Sequence, residues 1–246
     1  MKKIDFLFVP YKNIDSKTIV IVIDVIRASS TIVTFFGLGG ERLFVRDSIE
    51  EAFRLKDRLN SEGWLAGERG GLKIEGFDLD NSPYELLKYQ VRGKSLVLTT
   101  TNGTKTIAKY KNVPYLFIGA FLNLSYLTEV VSTLSESTGF DISIVCSGKE
   151  GEFVLDDLLC GGAFVDKFLG KGEFLLTDAA KCAWDLFRSK RDMIKGCLFE
   201  SSSGKNIVRF GKTKDIEFLS NIDRYRVAPY LSNREGLFIE DYTKLL

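Results

Sequence analysis

Residues 20–31 read VIVIDVIRASST, an apolar run followed by an acid, a base and three hydroxyl side chains. The mostly β-branched Val20–Ile23 predicts a fully buried strand. Ser29–Thr31 are favourable N-cap residues for the helix that the following apolar residues predict. Because a helix N-terminus presents unpaired N–H groups and a positive dipole end to anions, Asp24 and Arg27 lie beside a predicted anion-binding element. This combination, with a carboxylate for a metal and a guanidinium for a phosphate, favours phosphoryl chemistry.

Similar apolar runs recur along the chain and alternate with helical patterns. The predicted strands are Ile4–Val9, Thr18–Asp24, Arg42–Val45, Trp64–Gly67, Ser95–Thr99, Tyr115–Ile118 and Asp141–Val145. The predicted helices are Ser30–Gly37, Ser48–Asn60, Thr104–Tyr110, Asn123–Ser137, Glu152–Leu169 and Thr177–Lys190. This alternation predicts an α/β fold with a mostly parallel sheet covered by helices. Ligands of such sheets bind beyond the carboxyl ends of the strands, where the polar motifs of this chain lie.

The pattern changes after about residue 172. A polar segment at Glu200–Gly204 precedes a predicted short strand at Lys214–Phe218 and a loop at Asp223–Pro229 that leads to a final strand. No linker-like stretch separates these residues from the rest. We therefore predict a single α/β domain over residues 1–246, in which the chain from about residue 172 onward is a candidate C-terminal subdomain.

The composition excludes several classes of protein. With 34 basic and 33 acidic residues among 246, the chain has no basic field that would attract nucleic acid. No apolar signal-peptide region follows Met1, and no run approaches the roughly 18 apolar residues of a membrane span. We expect a soluble, cytoplasmic protein that binds neither nucleic acid nor a membrane. A homodimer is expected only because compact cytoplasmic enzymes often form one.

The chain contains no histidine. This excludes Ser-His-Asp and Cys-His catalytic arrangements, phosphohistidine intermediates and most zinc sites. Any chemistry must then rely on carboxylates, hydroxyls, thiols, lysine or arginine. Mg²⁺ becomes the favoured cofactor, since it prefers carboxylate, water and phosphate oxygens.

The four cysteines show no CxxC pair and are predicted to be reduced core residues. Cys182 and Arg188 have the C-x5-R spacing of cysteine phosphatases, but the bulky residues between them favour an amphipathic helix. Cys146 would lack a histidine base as a nucleophile, so a core thiol is favoured there.

Three further polar loops follow predicted strands. In Gly67–Gly71 (GERGG), the glycines permit close backbone approach, Glu68 is a candidate metal ligand or base, and Arg69 is a candidate anion partner. In Thr99–Thr104 (TTTNGT), hydroxyls and an Asn-Gly turn favour an anion-binding nest. A charged surface turn and a simple N-cap are the alternative interpretations of these two loops.

The third loop, Cys146–Glu152, leads into a predicted helix that carries Asp156 and Asp157. Glu152 and Asp156 would share a helix face, with Asp157 about 100° further round. Adjacent carboxylates among leucines indicate pairing or a bound metal. Lys149 is a candidate anion ligand, and an exposed lysine is the alternative.

Asp78-Leu79-Asp80 has the D-x-D spacing of haloacid-dehalogenase phosphatases, but no buried strand precedes it. Asn81, Ser82 and Pro83 instead predict a turn and a helix start.

Taken in order, these segments resemble the 2-phosphosulfolactate phosphatase family of coenzyme M biosynthesis. The matching segments are Val22–Thr31, Gly67–Gly71, Gly76–Pro83 (GFDLDNSP), Thr99–Thr104 and Cys146–Gly162 (CSGKEGEFVLDDLLCGG), with a weaker match at Asp215–Pro229. The resemblance implies an α/β fold peculiar to this family and a Mg²⁺-dependent phosphatase. That enzyme would hydrolyse (R)-2-phospho-3-sulfolactate to (R)-3-sulfolactate and phosphate.

The resemblance places Asp24, Arg27, Glu68, Arg69, Asn81, Ser82, Asn102, Gly103, Thr104, Ser147 and Asp157 at motif positions. Together with the loop analysis, it predicts three groups of site residues. The catalytic group is Asp24, Arg27, Ser29, Ser30 and Glu68; the substrate-binding group is Thr31, Arg69, Asn81, Ser82, Thr101, Asn102, Gly103, Thr104, Ser147, Gly148 and Lys149; the metal ligands are Asp24, Glu68, Asp156 and Asp157. Two departures from the family pattern are expected, since Asp80 stands in place of a small residue and Asp156 in place of glutamate.

Arg27 and the amides of Ser29–Thr31 are predicted to hold the phosphoryl oxygens. Metal-activated water is the first candidate nucleophile, Asp24 the second, and Ser29 or Ser30 the third. Two other functions stay open. One is a haloacid-dehalogenase-like phosphatase of another small phosphorylated acid that uses Asp78 or Asp24, and the other is a non-catalytic protein that binds a phosphorylated metabolite.

Overall fold

The computed structural model describes residues 1–59, 63–233 and 236–245. The strands are β1 Lys3–Leu7, β2 Thr18–Ile23, β3 Arg42–Val45, β4 Gly63–Arg69, β5 Leu72–Lys73, β6 Ser95–Thr99, β7 Tyr115–Gly119, β8 Asp141–Cys146, β9 Leu175–Leu176, β10 Pro229–Asn233 and β11 Phe238–Asp241. The α-helices are α1 Ala28–Gly37, α2 Ile49–Arg58, α3 Pro83–Leu86, α4 Gly103–Lys109, α5 Leu124–Thr138, α6 Leu155–Leu169, α7 Asp178–Lys190, α8 Ile194–Glu200, α9 Ser202–Arg209 and α10 Thr213–Leu219.

The described strands form one sheet of 11 strands in the order β5-β4-β6-β3-β11-β10-β7-β2-β8-β1-β9. Two parallel blocks, β4-β6-β3 and β7-β2-β8-β1-β9, make up most of it. The antiparallel hairpin of β10 and β11 lies between the blocks and pairs antiparallel with β3 on one side and β7 on the other. The predicted α/β fold with a mostly parallel sheet is therefore confirmed.

Strand β2 lies inside the larger parallel block, and all six of its residues are buried. It pairs with β8 along its whole length and with β7 from Ile19 onward. A strand covered on both faces by helices and paired on both sides has no solvent-facing position, which is why Ile19–Ile23 are continuously apolar. The chain becomes polar only at Asp24, the first residue after β2.

The predicted strands and helices before residue 172 recur with shifts of a few residues, and Arg42–Val45 and Ser95–Thr99 match in full. The predicted end of the second helix, Asn60, lies outside the described residues. The predicted helix start at Glu152 is wrong, because α6 begins at Leu155. Glu152 instead exchanges backbone hydrogen bonds with Lys149 across a tight turn, so it does not share a helix face with Asp156.

The region after residue 172 contains the main differences from the prediction. Lys214–Phe218 is not a strand but belongs to α10, where Asp215, Ile216, Phe218 and Leu219 are buried. The polar segment at Glu200–Gly204 contains the start of α9, where Ser201 Oγ accepts a hydrogen bond from the Gly204 amide. The division into domains stays a prediction, although β10 and β11 belong to the same sheet as the rest of the chain.

The four cysteines are free thiols. Cys146 and Cys160 are buried as predicted, Cys197 is half-buried against the core, and Cys182 is exposed, which corrects the assignment of Cys182 to the core. Cys182 and Arg188 both lie within α7, so the predicted helix at the C-x5-R spacing is confirmed.

Across residues 1–59, 63–233 and 236–245, no helix has the length and apolar character that a membrane span requires. The cytoplasmic location, the homodimer and the lack of nucleic-acid binding stay predictions.

Candidate functional site

A cleft of about 840 Å³, including its open mouth, lies where the loops after β2, β4, β6 and β8 meet. The predicted site residues that line it are Asp24, Arg27, Glu68, Asn81, Thr101, Asn102, Gly148, Lys149, Asp156 and Asp157. The lining residues absent from the prediction are Ile26, Gly70, Gly71, Thr100, Glu150, Val154, Ser203, Asn206 and Ile207. Most of these belong to the polar motifs already recognised, but Ser203, Asn206 and Ile207 come from α9.

Helix α4 brings the two parallel blocks together at the cleft. It follows β6 and packs against α1, β2 and β3. Its first residue, Gly103, lies so close to the loop after β2 that a Cβ atom there would stand 2.6 Å from Asp24 Oδ2 and 2.5 Å from Ala28 Cβ. Only glycine permits this approach. Gly103 therefore shapes the site even though it does not line the cleft.

Asp24 is held at the end of β2 by local hydrogen bonds, in a loop that contains a cis peptide between Ile26 and Arg27. Its Oδ1 accepts from the Ala28 amide at 3.1 Å, while the Ser29 hydroxyl accepts from the Asp24 amide and donates to the Asp24 carbonyl. Burial, together with the nearby Asp156 and Glu68 carboxylates, raises the pKa of Asp24 to about 7. This carboxyl group therefore keeps its proton to a higher pH than an exposed aspartate does.

Asp157 connects two of the loops. Its Oδ1 accepts from the Val25 amide at 2.8 Å, and its Oδ2 accepts from the Gly148 amide at 3.1 Å. Burial raises the pKa of Asp157, and the charges of Asp156 and Asp24 add to this shift. Both oxygens are occupied by the loops after β2 and β8, so Asp157 fixes their relative position.

Asp156 has a different environment, although it is only 1% exposed. Within the described part of the chain, neither of its carboxylate oxygens has a hydrogen-bond partner. Burial raises its pKa to about 6, and the hydroxyls of Ser201 and Ser203 lie near enough to oppose this shift without completing a regular hydrogen bond. A buried carboxylate without a partner is costly, so Asp156 is the cleft acid whose charge is least stabilised by hydrogen bonds.

Glu68 joins the loop after β4 to the loop after β6. Its Oε1 accepts from the Thr101 amide at 2.7 Å, and its Oε2 accepts from the Gly71 amide at 2.8 Å and from the Thr101 hydroxyl at 3.2 Å. These contacts give Glu68 a structural role at the cleft wall. Its role as a base or metal ligand stays a prediction.

Arg27 is 3% exposed and is paired with two buried carboxylates. Its guanidinium donates to both oxygens of Asp80, at 3.1 and 3.3 Å, and to Asp215 Oδ2 at 2.9 Å. Lys212 Nζ adds an ion pair to Asp80 at 3.1 Å. Asp80, which departs from the expected family pattern, is therefore a partner of Arg27. The positive charge of Arg27 is balanced inside the protein.

The hydroxyls after Arg27 do not line the cleft. Ser30 Oγ donates to the Val25 carbonyl at 2.8 Å, and Thr31 Oγ1 donates to the Asn81 carbonyl at 3.4 Å. The amides of Ser29 and Thr31 donate to the carbonyls of Asp24 and Arg27. These two amides, which the sequence predicts to hold phosphoryl oxygens, therefore already have hydrogen-bond partners in the protein. Direct contact of Ser29–Thr31 with the substrate stays a prediction.

Four other predicted ligands also lie outside the lining. Arg69 donates to the carbonyls of Glu68 and Asp47, and Ser82 caps α3 and donates to Asp215 Oδ1. Thr104 Oγ1 donates to the Thr100 carbonyl. The Ser147 hydroxyl is buried and has no hydrogen-bond partner in the described residues. Their contact with substrate also stays a prediction.

Asp78 does not line the cleft. Its Oδ2 accepts from the Leu65 amide at 2.7 Å and from Lys56 Nζ at 2.6 Å. These contacts give it a structural role between α2 and β4. They do not favour Asp78 as the nucleophile of a haloacid-dehalogenase-like enzyme.

The cleft is acidic. Among its lining residues, the carboxylates outnumber the cations: Asp24, Glu68, Glu150, Asp156 and Asp157 against Arg27 and Lys149. In the described ranges, no three acidic or thiol side chains form a ready-made metal cage. Mg²⁺ does not require one, because it usually binds through one or two carboxylates, water and substrate phosphate. An anion would enter this cleft more favourably together with a cation.

Residues 9–234 match the family described as 2-phosphosulpholactate phosphatase. The chain belongs to this family. Proteins named "Probable 2-phosphosulfolactate phosphatase" are similar to it along nearly their whole length. The relative from Thermotoga petrophila is 39% identical, over 96% of this chain and 97% of its own. Those from Clostridium acetobutylicum (36% identical, 92% and 94%) and Carboxydothermus hydrogenoformans (34% identical, 99% and 99%) align as extensively.

The resemblance inferred from the motifs is thereby confirmed. As a 2-phosphosulfolactate phosphatase family member, the chain is an enzyme of the phosphoric monoester hydrolase class. Family membership favours this class over the non-catalytic binding protein.

Proposed function

We propose that the chain is a Mg²⁺-dependent phosphatase that hydrolyses (R)-2-phospho-3-sulfolactate to (R)-3-sulfolactate and phosphate, a step of coenzyme M biosynthesis. The observation that carries the metal requirement is the buried, unpartnered carboxylate of Asp156 in an acidic cleft. A substrate with phosphate, carboxylate and sulfonate groups would be repelled by such a cleft without a cation.

The donor set fits Mg²⁺. Asp24 and Asp156 supply hard oxygen ligands. The pKa of each is raised because burial disfavours the negatively charged carboxylate. A divalent cation removes that penalty. We assign Asp24 and Asp156 as the metal ligands, whereas Asp157 and Glu68 keep the surrounding loops in place through their backbone contacts. When bound, Mg²⁺ would polarise the phosphoryl group and offset charge in the transition state.

The remaining polar groups bind and orient the substrate. Lys149 lines the cleft and, in the described part of the chain, has no ion pair, so its charge is available for an anionic group of the substrate. Arg27 lines the cleft with a guanidinium whose terminal nitrogens already donate to Asp80, Asp215 and the Gly71 carbonyl, so its direct contact with the substrate stays a prediction. Because Ser29 and Ser30 donate to backbone carbonyls and do not line the cleft, the geometry favours water or Asp24 as the nucleophile.

The test is phosphate release from 2-phospho-3-sulfolactate with and without Mg²⁺, beside phosphoglycolate, phospholactate and p-nitrophenyl phosphate. Mg²⁺-dependent turnover that favours the sulfonated substrate supports the proposal. Preference for another phosphorylated acid would keep the phosphatase and overturn the substrate. Trapping of a beryllium fluoride complex on Asp24 would favour that residue over water as the nucleophile. Full turnover after exhaustive chelation would overturn the metal requirement.

A further inference from the structure

Asp215 lies on α10, more than fifty residues beyond the last cleft-lining acid in sequence, yet it is only 1% exposed and contacts the site. Its Oδ2 accepts from Arg27 Nη1 at 2.9 Å. Its Oδ1 accepts from the Ser82 hydroxyl at 2.6 Å and from the Tyr84 amide at 3.1 Å. Both carboxylate oxygens are thus occupied, and each contacts a different segment of the chain.

These contacts fix the guanidinium of Arg27. A guanidinium is planar and presents its donors in a rigid fork, so two carboxylates on its terminal nitrogens define the orientation of the whole group. Asp80 binds both terminal nitrogens, and Asp215 binds Nη1. Rotation of Arg27 away from this position would leave the buried Asp215 carboxylate without the cation that it pairs with in the described residues, which is strongly unfavourable, whereas Asp80 would keep Lys212.

Asp215 also connects Arg27 to the elements around the cleft. Helix α10 packs against α3 and α9, and α9 contributes Ser203 and Asn206 to the cleft wall. Ser82 is the N-cap of α3. One carboxylate therefore sets the position of Arg27 relative to both α3 and α9.

We propose that Asp215 is a positioning residue of the phosphatase reaction, which acts by holding Arg27 in the orientation that the substrate requires. Asp215 does not line the cleft, so it acts through Arg27. The proposal rests on the proposed function, because it assigns Arg27 to the same reaction.

The experiment is a double-mutant cycle on the Mg²⁺-loaded full chain, with Asp215→Asn, Arg27→Lys and the double variant assayed for phosphate release from 2-phospho-3-sulfolactate. Asparagine keeps the size of the side chain but removes the charge that orients Arg27. Since a misplacement of about 1 Å can cost on the order of 100-fold in rate, we expect D215N to lower kcat by about 10- to 100-fold and to leave KM within about threefold. In the R27K background, D215N should lower kcat by no more than about twofold, because residues that act as a unit are non-additive.

The matched control is Asp241→Asn. Asp241 is also a buried acid of the C-terminal region, but its Oδ1 accepts from the Ala228 and Thr243 amides and it has no contact with Arg27. D241N should keep kcat within about threefold of the wild-type value, because Asp241 does not contact Arg27. Ser82→Ala, which removes one hydrogen bond to Asp215 and the N-cap bond of α3, serves if D215N does not fold. It should lower kcat by a smaller factor and lose that effect in the R27K background.

The outcomes separate the two proposals. A wild-type chain without phosphatase activity would overturn the proposed function. An active wild type in which D215N and R27K have additive effects, or in which D215N behaves like D241N, would overturn the positioning role alone.

Discussion

At the scale of single residues, the site brings three acids into one buried cluster. Burial is the largest cause of the raised pKa of Asp24, Asp156 and Asp157, the charge of Asp156 adds to the shifts of the other two, and that of Asp24 adds to the shift of Asp157. Their oxygens have different partners, however. Asp157 is occupied by two backbone amides, whereas Asp156 has none in the described residues. The cluster therefore separates an acid that shapes the loops from one that is free to bind a cation.

The first prediction concerns pH. The pKa of Asp24 rises from 3.8 to about 7 on folding and that of Asp156 from 3.8 to about 6. Between about pH 4 and pH 7 the unfolded chain has released protons that the folded chain retains, so the free energy of unfolding falls as the pH rises. Without Mg²⁺, the melting temperature should therefore decrease as the pH rises over this range. The measurement is thermal unfolding of the chelated protein against pH.

The control for this experiment is the Asp24→Asn, Asp156→Asn double variant, in which the decrease should be much smaller. Saturating Mg²⁺ should raise the melting temperature more at pH 8 than at pH 5, since protons and the metal compete for the same oxygens. An equal effect of Mg²⁺ at both values would contradict the assignment of these acids as ligands.

The second prediction concerns Asp156→Asn alone. The substitution removes a proposed Mg²⁺ ligand, so we expect phosphate release to fall by at least about 100-fold, in the range seen when a charge-stabilising group of an active site is lost. It also removes a buried charge, so the chelated variant should unfold at a higher temperature than the wild type. Activity and thermal unfolding measured together check both parts. A less stable and fully active variant would show that Asp156 is structural.

At the scale of secondary-structure elements, the close approach of α4 to the loop after β2 sets the shape of the site. The third prediction is that Gly103→Ala destabilises the protein by about 1–3 kcal/mol and lowers kcat, because the added methyl group overpacks the contact with Asp24 and Ala28. Gly196→Ala in α8 is the matched control, since a Cβ there meets no atom within 4 Å. It should be neutral or stabilising by up to about 1 kcal/mol. Chemical denaturation and phosphate release are the measurements, and equal effects of the two substitutions would refute the argument.

The sequence was a reliable guide to elements whose patterns are local. Buried β-branched runs such as Val20–Ile23 define strands directly, and the polar residues after them marked most of the cleft. Lys214–Phe218 was assigned wrongly because Ile216 and Phe218 alternate with polar residues as in a strand, while tertiary packing buries Asp215 and Leu219 beside them on a helix.

Ser203 and Asn206 carry no motif, and only the packing of α9 brings them to the cleft. The partners of Arg27 were missed for the same reason, because Asp80 and Asp215 lie far from it in sequence.

At the scale of the whole molecule, the hairpin of β10 and β11 completes the sheet between its two parallel blocks. The fourth prediction is that a chain truncated after Ala228 loses cooperative unfolding and self-associates. Removal of the hairpin exposes the unpaired edges of β3 and β7, and such edges favour intermolecular pairing. Size-exclusion chromatography and thermal unfolding test this expectation. A truncated chain that stays monomeric and unfolds in one sharp transition would contradict it.

The central place of this hairpin also orders events during synthesis. Residues 229–241 leave the ribosome after all the other strands of the described sheet, so the two parallel blocks emerge with open edges that only this late segment joins. Asp215 and the α9 wall of the cleft are likewise synthesised after the loops that follow β2, β4, β6 and β8. A nascent chain that stops before α9 carries the strand-end motifs without a complete cleft, and its open strand edges favour pairing with other chains.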